Sequence, residues 1–472
     1  MGTTHTPRRG RTLVGVGALA VLAAIVAALL GASASKASAP APHQINVQPQ
    51  ISGPQTLKPG TASFGCQGKP IDGSQGIVCY SPNQIQQAYG FSPLLHRGID
   101  GTGRTIVIVD AFQDPYIQSD LATQDATFGL PAANLTVHVM PGTPPFDPTN
   151  ADMVGWGGET TLDVEYAHAM APGAHILLIS AKSDYDTDLY AAEKWAVDNN
   201  AGDVMSQSFG ENEACVDPTV FSAWQSLLRQ ATNQRWTVFA SSGDSGAAQF
   251  NCAGTAPALA PGFPAVDPNV TGVGGTTLAA DINGNYGSET AWTEGIFAGC
   301  NPPDDDDINC SGGGFSTIFP RPFYQPVSPA ATGAQRYARG VPDVSYDAGV
   351  NGGVLARCSP CNIEYGLDPS LPYFFIFGGT SAGSPQWAAL AADADQYGSH
   401  RMGNINPALY FMRGSALYNT AFHDVKTGNN TVADLGGEGY FAAKGWDPVT
   451  GLGSPNAKQL VPALAGVTLL LH

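Results

Sequence analysis

Three hydroxyls lie between glycines in the stretch GGTSAGSP: Thr380, Ser381 and Ser384. A serine on backbone that lets a substrate approach closely is a candidate nucleophile. A serine directly before Pro385 and the Ala-rich run QWAALAADADQ is instead a candidate helix N-cap, with proline at the first helical position. Any such nucleophile needs a base. In GGETTLDVEYAHAMAPGA, Glu159 and Asp163 stand four residues apart and so share one face of a helix. Like charges at that spacing cost helix stability. Acids in a first turn after Gly157-Gly158 would complement the helix dipole, which accounts for Glu159 better than for a second acid facing it. If buried, the pair would share protons, one pKa pushed up and the other held down. That is the arrangement of a general base with an orienting partner. His168 stands nine residues from Glu159, about 180° round the helix, and cannot join that face. None of the nine histidines sits in an H-G-T-H or HExxH setting, so neither a histidine relay nor a zincin site is supported.

The elements that must position these groups alternate along the chain. RTIVIVDAF (104–112) is a β-branched run that reaches an acid, Asp110, near its end; HILLIS (175–180), DVMSQSFG (203–210), WTVFASSGD (236–244) and VTGVGGTTL (270–278) are further buried-strand candidates. Helix-like stretches, ETTLDVEYAHAMA and TVFSAWQSLLRQATNQ, lie between them. This order predicts an α/β fold with a mostly parallel central sheet and helices on both faces. Loops at strand ends are where such sheets place their sites.

The composition, 43% hydrophobic and 13% charged over 472 residues with 57 Gly and 36 Pro, is that of a large globular α/β protein with many turns. Arg8, Arg9 and Arg11, the apolar run Leu13 to Leu30 and the small-residue stretch ASASKASA read as a secretory signal over residues 1–39, cleaved after Ala34 or Ala39. An uncleaved anchor is the alternative, because 18 apolar residues stand at the short edge of what spans a bilayer. The expected protein is secreted, free of the membrane once cleaved, and a monomer. Removing residues 1–39 takes away four cationic and no acidic residues, moving the net charge from −18 to −22. So acidic a surface excludes nucleic acid as a partner and suits acidic surroundings, where protonation relieves self-repulsion. Residues 40–75, rich in Pro, Gln, Ser and Gly, read as a linker or short pro-arm ahead of a domain spanning 76–472. PPDDDDINC (302–310) reads as a solvated acidic loop. The eight cysteines follow an export signal and so predict disulfides; nearest-neighbour pairing gives 66 with 79, 215 with 252, 300 with 310 and 358 with 361. No second CxxC supports the alternative of zinc at CSPC.

Taken together, GGTSAGSP, GETTLDVEYAHAMAPGA and SSGDSGA resemble the nucleophile motif, the Glu/Asp helix and the oxyanion-aspartate loop of the sedolisins, the serine-carboxyl peptidases related to subtilisin. FPAVDPNVTGVGGTTL, GGGFSTIFPRPFYQ, RGVPDVSYDAGV, NINPALY and the tail FHDVKTGNN…GYFAAKGWDPVTGLGSPN are similar to the family in the same order. The resemblance covers about residues 80 to 458 and implies a subtilisin-like fold and an acid endopeptidase acting on proteins or peptides. It implies Ser381 as nucleophile, Glu159 as base, Asp163 as its orienting partner and Asp244 as oxyanion donor beside the Ser381 N–H. Without the resemblance, Asp244 in SGDSG reads as an Asx-turn acid. Asp110 is similar to the position where the family keeps an acid behind the Glu/Asp pair.

The tail resembles the family's Ca²⁺ site, with implied ligands the side chains of Asp424 and Asp447 and the carbonyls of Val425, Ala443 and Gly445. The match also implies a helix beginning near Ser381, in competition with the local reading that starts it at Ser384. Phe209 stands where some relatives carry Trp, and Ala443 where relatives carry Gly. The family's folded prodomain has no counterpart: only residues 40–75 are available, either because the enzyme folds without it or because a short arm blocks the cleft. A catalytically silent binding protein on the same scaffold is the alternative function. A neutral histidine-dependent hydrolase lacks its histidine motif.

Overall fold

The segment Thr105–Ala111 is buried along almost its whole length, as a strand covered on both faces must be. Its alternation divides the interior. Ile106 and Ile108 enter one core with Leu162 and Tyr166 of the helix Ala151–Met170 and with Trp387 and Leu390 of the helix Gly383–Gly398. Val107 and Val109 enter a second core with Leu189 of the helix Asp186–Asp198 and with Trp224 and Leu227 of the helix Pro218–Asn233. Each large side chain so buried contributes roughly 1.5–3 kcal/mol. By the same alternation Asp110 points to the first core, toward the helix that carries Glu159 and Asp163.

In this computed structural model the described residues are 1–2, 43–45, 50–59, 61, 63–71, 74–294 and 309–471. The chain divides into Met1–Ala41, of which only Met1 and Gly2 are described, and Pro42–His472, which holds everything that follows. The expected signal sequence and most of the acidic loop lie outside the described residues. Among the described residues no helix is long and apolar enough to cross a membrane.

The central sheet has eight strands. From one edge it runs Asn134–Val139, His175–Ala181, Thr105–Ala111, Val204–Gln207, Thr237–Ser241 and Thr271–Ala280, all parallel. The strand Val344–Asp347 pairs with Thr271–Ala280 in parallel, and Tyr286–Ala291 pairs with it antiparallel. The expected α/β architecture, a mostly parallel sheet with helices on both faces, is present.

A second sheet of four strands orders Ile51–Gln55, Phe374–Phe377, Gly353–Arg357 and Cys79–Tyr80. It draws the N-terminal arm into the fold, because Ile51–Gln55 pairs antiparallel with the strand that leads directly into Gly378, Gly379, Thr380 and Ser381. The disulfide Cys66–Cys79 ties the arm further, and Cys215–Cys252 and Cys358–Cys361 complete three of the four expected pairs. The fourth, Cys300 with Cys310, involves a residue outside those described.

Two sequence expectations about helix starts are corrected. The acidic helix begins at Ala151, capped by the Asn150 side chain accepting from Met153 N, so Glu159 is mid-helix and no complement to a dipole. Gly157 and Gly158 lie inside it; a Cβ at Gly157 would stand 2.8 Å from the Pro360 ring. Ser384 is not an N-cap. A 3₁₀ turn spans Thr380–Ala382, the α-helix starts at Gly383, and the Ser384 hydroxyl is buried against Ser206 Oγ at 2.9 Å. Pro385 lies close enough to the start that its missing N–H leaves no partner unsatisfied.

Candidate active site

The structure brings Ser381, Glu159, Asp163, Asp244 and Asp110 into one site. Strand Phe374–Phe377 delivers Gly379 with φ +86°, and the chain turns there into the 3₁₀ turn that carries Ser381. Glycine is required at 379 for two reasons. An L side chain is strained at that φ, and a Cβ would stand 2.6 Å from Asp244 Oδ2. Gly379→Ala should therefore cost about 1–3 kcal/mol of stability and push Asp244 out of place. A lowered Tm together with a lower kcat would be the expected readout; unchanged values of both would refute the account.

Ser381 is 9% exposed, while Glu159 and Asp163 are fully buried. Burial raises the Glu159 carboxyl well above its ordinary range; the Ser381 hydroxyl facing it pulls it down, and the nearby Asp110 and Asp244 push it up. In the resting site neither Glu159 oxygen holds a hydrogen bond of regular geometry. Asp163 is also raised, first by burial and then by Asp110 and Glu159, while Ser208 Oγ donates to its Oδ1 at 2.7 Å. Asp110, also fully buried, is pushed up to about 7 by burial, against a hydrogen bond from Thr160. Three carboxyls in one dry site hold fewer charges than groups. A protonated Asp163 or Asp110 can then donate to a neighbour that stays ionised.

Asp244 sits at the other side of the serine. Its Oδ1 accepts from Thr380 N at 2.8 Å and from Thr380 Oγ1 at 2.7 Å, and burial raises its pKa against both bonds. The Thr380 hydroxyl also accepts from Gly243 N at 3.2 Å. The loop behind it is pinned by Cys310 N to the Asp244 carbonyl at 2.8 Å and Gly312 N to the Gly243 carbonyl at 2.7 Å. This is a carboxyl held rigidly beside the Ser381 backbone.

A sequence model described as the subtilase family matches residues 151–437, more than half of the chain and spanning Glu159, Asp163, Asp244 and Ser381. The chain belongs to the subtilase family. Within it, the sedolisin branch is the one it matches. Kumamolisin from Bacillus sp. (strain MN-32) is 34% identical over 399 residues, covering 83% of this chain and 64% of that protein. Sedolisin from Pseudomonas sp. (strain 101) is 33% identical, covering 64% of this chain and 48% of that protein. The solved structure of Pseudomonas sedolisin, a serine-carboxyl proteinase complexed with two molecules of pseudo-iodotyrostatin, superposes with a TM-score of 0.66 at 27% identity, covering 82% of this chain and 98% of that one. The chain thus spans about half to two thirds of the length of these two curated relatives. The subtilisin-like fold expected from sequence is established by these matches together with the sheet order.

Several residues of this sedolisin-type site escaped the sequence reading. Asp114 lies just past the strand that carries Asp110; burial pushes it up to about 8, with Asp120 and Asp110 adding to the rise and Tyr116 N and Thr161 opposing it. An acid at the C-terminal end of a parallel strand was the available signal. Ser208 and Thr380 were inside quoted motifs, but only the fold shows which carboxylates they serve. His168 points elsewhere, to Asp125 at 3.1 Å and the Pro131 carbonyl at 2.9 Å. Phe209, with no indole N–H to offer, packs between Trp156 and Trp224 with ring centroids 6.2 and 6.3 Å away.

The arm also enters the site. His43, Gln44, Ile45 and Gln50 line a cleft of about 770 Å³ together with Ser208, Asp244 and Ser381. The Gln50 carbonyl accepts from Gly378 N at 2.8 Å, three residues before the serine.

The tail residues singled out for calcium come together at one loop. Asp424 Oδ1 accepts from Gly445 N at 2.8 Å and from Tyr418 Oη at 3.0 Å. Asp447, 1% exposed, accepts from Ala443 N at 2.9 Å and from the N–H groups of Val449 and Thr450. The 443–445 stretch is thus fastened to both carboxylates. Among the described residues no group of three or more His, Cys, Asp or Glu side chains is arranged to hold a metal ion, so a cation here would lean on backbone carbonyls. Such an all-oxygen donor set fits Ca²⁺.

Proposed function

We propose that this chain is a secreted, acid-active serine-carboxyl endopeptidase that cleaves protein or peptide substrates through an acyl-enzyme on Ser381. The observation that carries the reading is a serine hydroxyl set between a buried, proton-sharing cluster of Glu159, Asp163 and Asp110 and a half-buried carboxyl, Asp244. Ser381 Oγ attacks the scissile carbonyl carbon and its proton passes to Glu159, which Asp163 orients. The oxyanion that forms accepts hydrogen bonds from the Ser381 N–H and from Asp244 in its protonated form. Collapse breaks the C–N bond, and the leaving amine takes the proton from Glu159. Water, activated by the same carboxylate, then releases the acid product and restores the serine. Glu159 must be ionised and Asp244 protonated at the same time: acid pH keeps Asp244 protonated, and hydrogen bonds from Ser381 and from a protonated Asp163 or Asp110 leave the cluster's one remaining charge on Glu159. The test is hydrolysis of an unfolded protein at about pH 3 to 5 by the wild-type chain, with Ser381→Ala as control. Absence of acid proteolysis by the wild-type chain would end this reading.

The short arm lying in the cleft supports its having the role of a compact pro-segment that must leave before protein substrates enter. For the tail we propose a resident Ca²⁺ held by Asp424 and Asp447 with the carbonyls of Val425, Ala443 and Gly445. When bound, the ion would supply structural cross-linking of the tail. Chelation should lower Tm, since a ligand held by the folded state alone stabilises it by about 3 kcal/mol at a hundredfold excess over Kd. Scanning calorimetry with EGTA and with added calcium, on wild type and Asp447→Ala, checks this. A Tm indifferent to calcium in the wild type would remove the site.

A further inference from the structure

The arm does more than fill space. Residues 43–45 are bound in extended form along the segment that leads into the helix Asp186–Asp198: Asp186 N donates to the His43 carbonyl at 2.9 Å, Ile45 N donates to the Asp184 carbonyl at 2.8 Å, and Gln44 bridges Tyr185 in antiparallel register. An extended peptide can dock in this way, with main-chain bonds giving affinity and alternate side chains entering pockets. His43 and Ile45 fall on one face. Ile45, 2% exposed, joins the core beside Phe209. The His43 ring sets its Nδ1 2.5 Å from Glu211 Oε2, on the cleft wall four residues after the Ser206–Gln207 strand end.

Glu211 is 6% exposed and Asp186 is fully buried, and Asp186 lies close enough to add to the cost of charging Glu211. Neither Glu211 oxygen nor Asp186 Oδ2 has a hydrogen-bond donor of regular geometry. A pair of buried acids with three such acceptor atoms is costly unless a cation faces it. The catalytic steps make no use of it, and Glu211 lines the cleft beside the arm's His43.

We propose that Glu211, backed by Asp186, is a substrate subsite for a cationic side chain, two residues ahead of an aliphatic side chain held where Ile45 lies. His43-Gln44-Ile45 then occupies it as an internal stand-in for a basic-x-aliphatic peptide. The assignment rests on the peptidase reading, and its test separates the two. Full-length Ser381→Ala protein is titrated with dye-labelled Ala-Pro-Arg-Gln-Ile and Ala-Pro-Gln-Gln-Ile, followed by fluorescence anisotropy. The Arg peptide should bind about tenfold tighter, the difference should vanish on adding Glu211→Gln, and His43→Gln should strengthen Arg-peptide binding by weakening the internal competitor. The last variant keeps the test valid if Glu211→Gln fails to fold. Equal affinities of the two peptides, or a preference that survives Glu211→Gln, would overturn the subsite. Extended forms of both peptides are then given to the wild-type chain. If the Arg peptide binds more tightly yet neither is cut, the peptidase reading falls and the subsite stands.

Discussion

Ser381→Ala should lower kcat on an unfolded protein substrate in acid by roughly four to six orders of magnitude, the loss seen when the nucleophile of a tightly coupled catalytic unit is removed. Glu159→Gln should cost a comparable amount, because a glutamine cannot accept the serine proton. The double variant should be no worse than either single one. That non-additivity is the sharper result: groups that act as one unit are lost once, whereas two independent contributors would multiply. The measurement is kcat and KM at about pH 4 for the three variants, with Tm alongside. Neither substitution should destabilise the fold by much, since Ser381→Ala removes one hydroxyl and glutamine keeps the size of Glu159, whose oxygens hold no hydrogen bond of regular geometry. A Ser381→Ala protein retaining more than about a hundredth of the activity would be incompatible with the nucleophile assignment.

The second large effect is on stability. The protein should be most stable in acid and lose stability as pH rises from about 4 to about 8. Asp110 is raised to about 7, Asp114 to about 8 and Glu211 to about 8, and in each case burial is the main cause. Asp163, Glu165, Glu193, Asp347, Asp393 and Asp395 are raised as well, also mainly by burial. The sign follows from linkage. A carboxyl whose folded pKa exceeds its unfolded one binds more protons in the folded state, so its contribution is intact below the unfolded value and disappears as pH climbs through the folded one. Asp147, Asp198, Asp217, Asp281 and Asp368 are shifted down, mostly by hydrogen bonds from neighbouring residues, and oppose this. All but Asp217 are exposed, so solvent screening leaves them little weight. A tenfold change in a carboxyl's proton affinity is worth about 1.4 kcal/mol, so even a few buried acids amount to several kcal/mol, and a fall in Tm of ten degrees or more is expected. Thermal melts across this range check it, and a Tm that rises from acid to neutral pH would contradict it. Asp114→Asn should flatten the slope, raising Tm near neutrality and hardly changing it in acid.

These acids explain why the site and the stability profile share one origin. A base that works beside a protonated neighbour needs a dry cluster of carboxyls, and a dry cluster of carboxyls penalises the fold wherever it must ionise. On the proposed mechanism, the cost is smallest at the pH where the chemistry has its protons arranged.

How much of this was legible before folding differs from residue to residue. The runs TIVIVDA and HILLISA read as buried strands because every position is apolar or β-branched up to the strand end, a local property of the chain. The face shared by Glu159 and Asp163 follows from helical spacing alone, and without a histidine motif any serine nucleophile must find another base. Three of the disulfides follow from proximity along the chain. The four proposed catalytic groups therefore came from the sequence and its family resemblance, and folding brought them together without replacing any.

The tertiary structure decided what depends on distant partners. The start of the acidic helix at Ala151 was hidden because Gly157-Gly158 looks like a break, yet packing against Pro360 demands the missing side chain there. Ser384 looks like a cap, but its hydroxyl is satisfied by Ser206 on a strand 178 residues away. Asp114, Ser208 and Thr380 gain roles only once the sheet sets loops from separate segments side by side. The arm has no periodicity of its own; its order comes from the backbone at 184–186 and the strand Phe374–Phe377 that receive it. Periodicity and spacing are written in neighbouring residues, whereas burial, which shifts every pKa in this site, is a property of the whole packed chain.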